Sequence, residues 1–121
     1  MCRSKSYQAG IEAQRKRINT ALQGALTMVQ KKKLSVAGIQ LRAKKVLDSQ
    51  ADELKEEKKF IVKVNEDLDN VQSQLKEAEQ QISQMLIGNV SMEDKVGYMQ
   101  SLAAKMEKLK TLSYPLPNKP G

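Results

Sequence analysis

The sequence predicts an all-α protein: an elongated helical hairpin with a long central coiled-coil-like helix, followed by a shorter third helix. Three observations predict this class. Apolar residues recur every seven positions from Leu47 to Ile82, Lys, Glu, Gln, Leu and Ala are abundant, and residues 34–87 contain Gly38 but no Pro. Phe60 and three Tyr are the only aromatic residues, which is typical of long solvated helices.

The first helix is predicted to begin at about residue 8. Its apolar residues return at spacings of three, four and seven, as they do on one face of an amphipathic helix. The pattern ends near residue 30. The apolar face consists of Ile11, Ile18, Leu22, Ala25 and Val29.

A helix–helix turn is predicted at residues 30–35, where three consecutive lysines interrupt the apolar phase. No Gly or Pro marks this place, so a continuous helix stays open as the alternative. With the turn here, the chain folds back and Arg17 lies opposite about residue 49. The basic cluster at residues 15–17 is then expected to face Asp48, Asp52 and Glu53.

The second helix is predicted to span residues 34–87. A first helix that folds back at residues 30–35 covers the second only to about residue 58. The rest of its apolar stripe then needs cover from flanking segments of the same chain, from other copies, or from both, because burial of such a face supplies most of a helix's stability. We therefore predict homo- or hetero-oligomerisation through coiled-coil helices. The predicted self-assembly seam is Leu54, Ile61, Val64, Leu68, Val71, Leu75, Ala78, Ile82 and Met85.

Gly88 and Asn89 are predicted to end the second helix in left-handed backbone conformation, and Ser91 to cap a third helix that runs to about residue 112. Its predicted apolar stripe is Met92, Val96, Met99, Ala103, Met106 and Leu109. Pro115, Pro117 and Pro120 then exclude a helix in the last residues of the chain. The predicted organisation is a helical assembly domain over residues 1–112 and an extended, proline-containing tail over residues 113–121.

The net charge of +7 is concentrated near the start of the chain. Residues 1–45 hold eleven Lys and Arg against Glu12, residues 46–90 hold five against ten acidic residues, and residues 91–121 hold five against three. Residues 1–45 are therefore predicted to bind a polyanion. The candidate membrane- or polyanion-binding residues are Arg15, Lys16, Arg17, Lys31, Lys32, Lys33, Arg42, Lys44 and Lys45.

Histidine is absent and Cys2 is the single cysteine, which excludes the usual zinc spacings and the Ser-His-Asp and Cys-His constellations. We expect no enzyme, no cofactor and no metal. A lone cysteine also excludes a disulfide framework and favours a reducing, cytoplasmic setting; acylation of Cys2 is a minor alternative. No apolar run approaches the roughly 20 residues that span a bilayer, so membrane contact is expected to be peripheral.

Three short segments resemble the ESCRT-III proteins, the charged multivesicular body protein family. Residues 37–45, AGIQLRAKK, preceded by the lysines at 31–33, resemble the start of that family's long second helix. Residues 91–99 resemble the segment that opens a later helix. The tail is similar to part of a proline-rich MIT-interacting motif, through Pro115, Leu116, Pro117 and Pro120.

The resemblance implies a subunit that polymerises on endosomal membranes, remodels them during vesicle sorting, and recruits a MIT-domain ATPase through its tail. The leading hypothesis is thus a membrane-associating, self-assembling helical scaffold. The runner-up is a structural coiled-coil subunit or adaptor of a larger complex. A basic nucleic-acid-binding coiled coil ranks third, because Tyr7 is the only aromatic residue near the basic clusters and base stacking requires more.

Overall fold

One α-helix, α1, runs unbroken from Cys2 to Leu47 in the computed structural model of the chain. The structure describes residues 2–50 and 52–110, with side chains for 5–50 and 53–109. The turn predicted at residues 30–35 is therefore wrong. A heptad continues through it, because Leu22, Val29, Val36 and Ala43 lie seven apart and are all buried. Lys32, three residues after Val29, lies on the same buried side of α1, where its aliphatic stem tolerates half-burial.

The chain reverses after α1, between residues 48 and 54. A 3-10 turn at Asp52–Leu54 precedes α2, which spans Lys55–Ile87. The Ser49 amide still donates to the Val46 carbonyl at 3.1 Å, and the Lys58 ammonium donates to the Ser49 carbonyl. Asp and Ser side chains favour such turns because they compete for backbone hydrogen bonds. The second helix, predicted to begin at residue 34, therefore begins at Lys55 instead, and residues 34–47 belong to α1.

Helices α1 and α2 form an antiparallel hairpin along their length. The Gln40 amide donates to Asp69 Oδ1 at 2.7 Å, and Gln72 Nε2 donates to the Lys33 carbonyl at 3.0 Å. As residue numbers rise along α1, those of its α2 partners therefore fall. The elongated hairpin that the sequence predicts is confirmed, with its bend about 17 residues later than expected.

Helix α2 ends at Ile87, as predicted, but Gly88 does not adopt the left-handed conformation. Gly88 has φ −88° and ψ 168°, which is extended backbone, and its amide donates to the Gln84 carbonyl. A Cβ on Gly88 would lie 2.7 Å from that carbonyl oxygen, so the close approach is what requires glycine here. Helix α3 then spans Met92–Lys110, and Ser91 caps it as predicted: the Asp94 amide donates to Ser91 Oγ at 3.1 Å.

Helix α3 packs against the first half of α1 and the second half of α2, so this end of the molecule is a three-helix bundle. The Lys95 ammonium donates to Asn19 Oδ1 at 2.9 Å, and the Tyr98 hydroxyl to the Ala78 carbonyl at 3.4 Å. The predicted stripe of α3 is partly wrong. Val96 and Ala103 are exposed, whereas Leu102 is buried.

The described part of the chain contains two apolar cores. The larger joins all three helices through Leu22 and Val29 of α1, Leu75 and Ile82 of α2, and Leu102 of α3. The smaller lies near the bend, where Ala43, Val46 and Ile61 pack with Leu47 and Leu54. The bend-proximal half of the hairpin thus has two helices where the other end has three.

Candidate functional site

The solvent-exposed surface of α1 carries a basic, partly apolar face, and its Leu34 and Ala37 edge lines a groove with Glu79 of α2. If Leu22 occupies position a of the heptad, positions b, c and f lie on the side opposite the seam. All fourteen residues at these positions between residues 16 and 45 are exposed, and none is acidic. We call this set the outer face of α1: Lys16, Arg17, Thr20, Gln23, Gly24, Thr27, Gln30, Lys31, Leu34, Ala37, Gly38, Leu41, Lys44 and Lys45.

Two leucines on the outer face are left to solvent. Leu34 is 75% exposed and Leu41 is 63% exposed, one heptad apart at successive f positions. Leucine at these positions favours the helix locally but adds little hydrophobic stabilisation to the hairpin, because that contribution requires burial. Lysines 31 and 45 bracket the pair along the helix. The outer face therefore combines cations with apolar side chains, as helices that lie at a membrane surface do.

Most of the positive charge on α1 is not neutralised within the chain. Of its Lys and Arg side chains that the structure describes, only Arg15 and Lys33 lie within 4.0 Å of a carboxylate. Arg15 pairs with Glu12 at 3.5 Å and Lys33 with Glu79 at 3.3 Å. The outer-face cations therefore stay available to an external anion, over roughly 44 Å of helix at 1.5 Å per residue.

The nine predicted basic residues fall into separate groups. Five are on the outer face: Lys16, Arg17, Lys31, Lys44 and Lys45. Arg42 is exposed beside that face. Lys32 and Lys33 are half-buried towards the other helices, and Arg15 lines a cleft near the α2–α3 connection.

The predicted contact between residues 15–17 and the acidic residues near position 50 does not form. These groups lie at opposite ends of the bundle, because α1 continues to Leu47 before the chain reverses. Arg15 instead lines a cleft with Ser91 and Met92. Asp48 and Glu53 are exposed near the bend.

The predicted self-assembly seam is covered by the chain itself. Its residues from Ile61 to Ile82 are all buried, against α1 along the hairpin and against α3 at the bundle end, while Met85 and Leu54 are half-buried. The expectation that α1 covers α2 only to residue 58 is wrong, because the later bend lets α1 reach past residue 82. These side chains therefore form the core of one molecule and need no second copy.

The leucines of the outer face are functional candidates that the sequence prediction missed. The predicted turn contained Leu34, and Leu41 lay on the predicted second helix. Carrying the heptad of Leu22 and Val29 on to Val36 and Ala43 would have put both leucines at position f.

A groove between α1 and α3 is another apolar feature of the described surface. It encloses about 280 Å³ and is lined mainly by Met28, Val29, Met99, Leu102 and Met106. Met28 is 61% exposed at its edge. Methionine packs adaptably, so this groove suits a partner side chain.

The Tyr98 side chain is half-buried, and its hydroxyl donates to the Ala78 carbonyl. Burial raises the pKa of its phenol above 10.0, and the nearby Glu77 carboxylate raises it further. No described helix is long and apolar enough to cross a membrane. Nor does the described part of the chain bring together three or more His, Cys, Asp or Glu residues that could hold a metal ion.

The predicted tail residues Pro115, Leu116, Pro117 and Pro120 lie outside the described residues, as does the predicted end of α3 near residue 112. Residues 37–45 and 91–99, which resemble ESCRT-III segments, lie in the second half of α1 and at the start of α3. Comparison with known proteins finds no matching family model, no similar curated protein and no similar solved structure. The ESCRT-III resemblance therefore depends on those short motifs alone.

Proposed function

We propose that this chain binds anionic membrane surfaces peripherally, through the outer face of α1. One observation carries the proposal: Leu34 and Leu41 are exposed on a face that contains five cations and no acidic residue. Leucines inserted at the headgroup boundary gain the burial that the fold denies them. Each lysine or arginine near an anionic leaflet adds about 1 kcal/mol.

The charges on the rest of the molecule favour an orientation in which the outer face of α1 points towards the membrane. Helix α2 and the connection before it are net acidic, and α3 is nearly neutral. The charge asymmetry orients the hairpin, with α1 towards the leaflet and α2 away from it. The ESCRT-III resemblance implies a membrane role as well, although residues 37–45 lie within α1 and not at the start of a second helix.

Assembly through the heptad seam is not part of this proposal. The prediction of such assembly depended on an uncovered apolar stripe on α2. In the structure, α1 and α3 cover that stripe. Copies that associate on a membrane would have to meet through other surfaces. Recruitment of a MIT-domain ATPase by the tail stays a prediction of the resemblance.

A helical adaptor of a larger complex is the second candidate. The methionine-lined groove between α1 and α3 favours it, because an apolar side chain of a partner would fill that groove. This function predicts a stoichiometric protein complex and no preference for anionic lipid. A nucleic-acid role has less support, since described aromatic side chains do not accompany the outer-face cations.

Flotation with vesicles tests the membrane proposal. The protein should float with vesicles that contain phosphatidylserine, stay behind with phosphatidylcholine alone, and dissociate as salt rises. Changing Lys31, Lys44 and Lys45 together to Glu should weaken binding by roughly a hundredfold.

The matched control changes Lys55, Lys59 and Lys63 of α2 to Glu, which alters the net charge equally. This control should float nearly as the parent does. Equal loss in both triple variants would mean that net charge, and not the outer face, governs binding. Preference for duplex DNA over anionic vesicles at equal salt would favour the nucleic-acid alternative instead.

A further inference from the structure

Lys95 is a buried cation for which the chain provides no described counter-charge. Its residue is 6% exposed, deep between the start of α3 and α1. The ammonium has three N–H donors, and its side-chain bond in the structure goes to Asn19 Oδ1 at 2.9 Å. No carboxylate of the described residues lies within 4.0 Å of it.

Burying a charge in this way is costly, because an amide oxygen carries only a partial charge. A methionine or leucine would fill the same space without that cost. The burial of Lys95 is therefore explained if an anion reaches it.

A cleft at the α2–α3 connection gives an anion access. It encloses about 590 Å³ and is lined by Arg15, Asn19, Ser91 and Lys95, with Leu86 and Val90 as its apolar part. No acidic side chain lines it. The nearest acids along the chain, Glu12, Glu93 and Asp94, are exposed.

The polar groups of the cleft have hydrogens to donate. Arg15 uses one side of its guanidinium for the exposed pair with Glu12 at 3.5 Å, and a guanidinium has five N–H donors. Ser91 Oγ accepts the Asp94 amide, which leaves its own hydroxyl hydrogen to donate. Two cations and a hydroxyl thus meet at one cavity, the donor set that suits a phosphate group.

We propose that this cleft binds a phosphate group, with Lys95 and Arg15 as the charged donors and Ser91 as a neutral one. The cavity is larger than inorganic phosphate, so a phosphomonoester with a small organic part fits it. Its source is either a soluble phosphomonoester or the headgroup of a phosphomonoester lipid. The site is distinct from the outer face of α1, and the proposal does not depend on membrane binding.

Amide chemical shifts measured during a phosphate titration test this site. Inorganic phosphate and glycerol 3-phosphate, added at constant ionic strength against sodium chloride, should shift the amides of residues 91–95 and Asn19 saturably. Arg15→Gln should weaken binding by about tenfold or more, because it removes a charged donor. Arg15 is exposed enough that the variant should keep its fold. Lys63→Gln, which removes an exposed cation of α2, should bind as the parent does.

Lys95→Met is the second variant. It should abolish the phosphate shifts while the protein stays folded, because methionine fills the volume without burying charge. The absence of saturable shifts in the parent, or unchanged affinity in both Arg15→Gln and Lys95→Met, would overturn the proposal and leave Lys95 a structural hydrogen-bond donor to Asn19.

A vesicle arm separates the two sources. Phosphatidic acid exposes a phosphomonoester, whereas phosphatidylglycerol at matched surface charge does not. A preference for phosphatidic acid that Lys95→Met removes assigns the headgroup as the source. Equal binding to both lipids, with phosphate shifts intact, assigns the soluble phosphomonoester. Absence of phosphate shifts in the parent protein, with its flotation intact, would overturn this site and leave the outer-face proposal standing.

Discussion

The Lys33 ammonium lies 3.3 Å from Glu79 Oε1, an ion pair between residues 46 positions apart in the sequence. Both side chains are about two-thirds buried, at 31% and 28% exposure. The Lys33 carbonyl also accepts a hydrogen bond from Gln72 Nε2 at 3.0 Å. Lys33 therefore joins the two helices through both its side chain and its backbone, and it sets the register of the hairpin.

This pair should contribute a measurable coupling energy. Glu79→Gln and Lys33→Gln should each destabilise the protein, and a double-mutant cycle should give a coupling of about 1 kcal/mol. Urea unfolding measures it. Glu66→Gln, an exposed change on the same helix, is the control and should change stability by less than about 0.5 kcal/mol. Additive effects of the two Lys33 and Glu79 changes would show that the pair does not hold the register.

Burial of the heptad within one chain predicts a large contrast between two apolar positions. Ile82 is 0% exposed, so Ile82→Ala should cost about 2–5 kcal/mol of unfolding free energy. Leu34→Ala should cost less than about 0.5 kcal/mol, because Leu34 is 75% exposed. Denaturant unfolding compares them. Equal costs would indicate that Leu34 is buried in solution, for instance against a second copy.

Stability should fall at alkaline pH because of Tyr98. Its folded pKa is raised by burial and by Glu77, so the folded state holds the phenol proton more tightly than the unfolded state does. The resulting stability is present below pH 10 and is lost as the pH rises from 10 through the folded pKa. The difference in unfolding free energy between the parent and Tyr98→Phe should shrink over that window. A difference that stays constant with pH would contradict the raised pKa.

The all-α class and the heptad of α2 could be predicted from the sequence because both depend on local periodicity. The position of the bend could not be predicted in this way. Three charged residues at 31–33 look like an interruption, yet the side chains of Lys32 and Lys33 extend along the helix and tolerate half-burial. The actual bend has Asp48 and Ser49 but no Gly or Pro, so its local signal is no stronger than that at residues 30–35.

The continuity of α1 predicts a long distance between two of its exposed residues. Spin labels at positions 16 and 44, both exposed, should lie about 42 Å apart along a continuous helix. A turn at residues 30–35 would instead bring them within about 20 Å, one interaxial distance plus a short offset. Pulsed electron paramagnetic resonance measures this separation. A separation within about 20 Å would support a bend at residues 30–35 and would contradict the outer face as it is defined here.

The candidate site was only partly predictable for the same reason. The sequence indicated the basic character of α1, because charge counts need no structure. It could not separate the outer-face lysines from Lys32 and Lys33, since that separation depends on the heptad phase across residues 30–35. Nor could it pair Arg15 with Lys95, 80 positions later, because their shared cleft arises only when α3 packs beside α1.

Membrane contact through the outer face of α1 is tested most directly by a single tryptophan at Leu34. The chain has no Trp, so Leu34→Trp creates one fluorescent reporter. Ser73→Trp, at an exposed position f of α2, is the control. On anionic vesicles, Leu34→Trp emission should shift to shorter wavelength and be quenched by brominated acyl chains, while Ser73→Trp emission stays unchanged. An unchanged Leu34→Trp spectrum, or equal shifts at both positions, would contradict binding through the outer face.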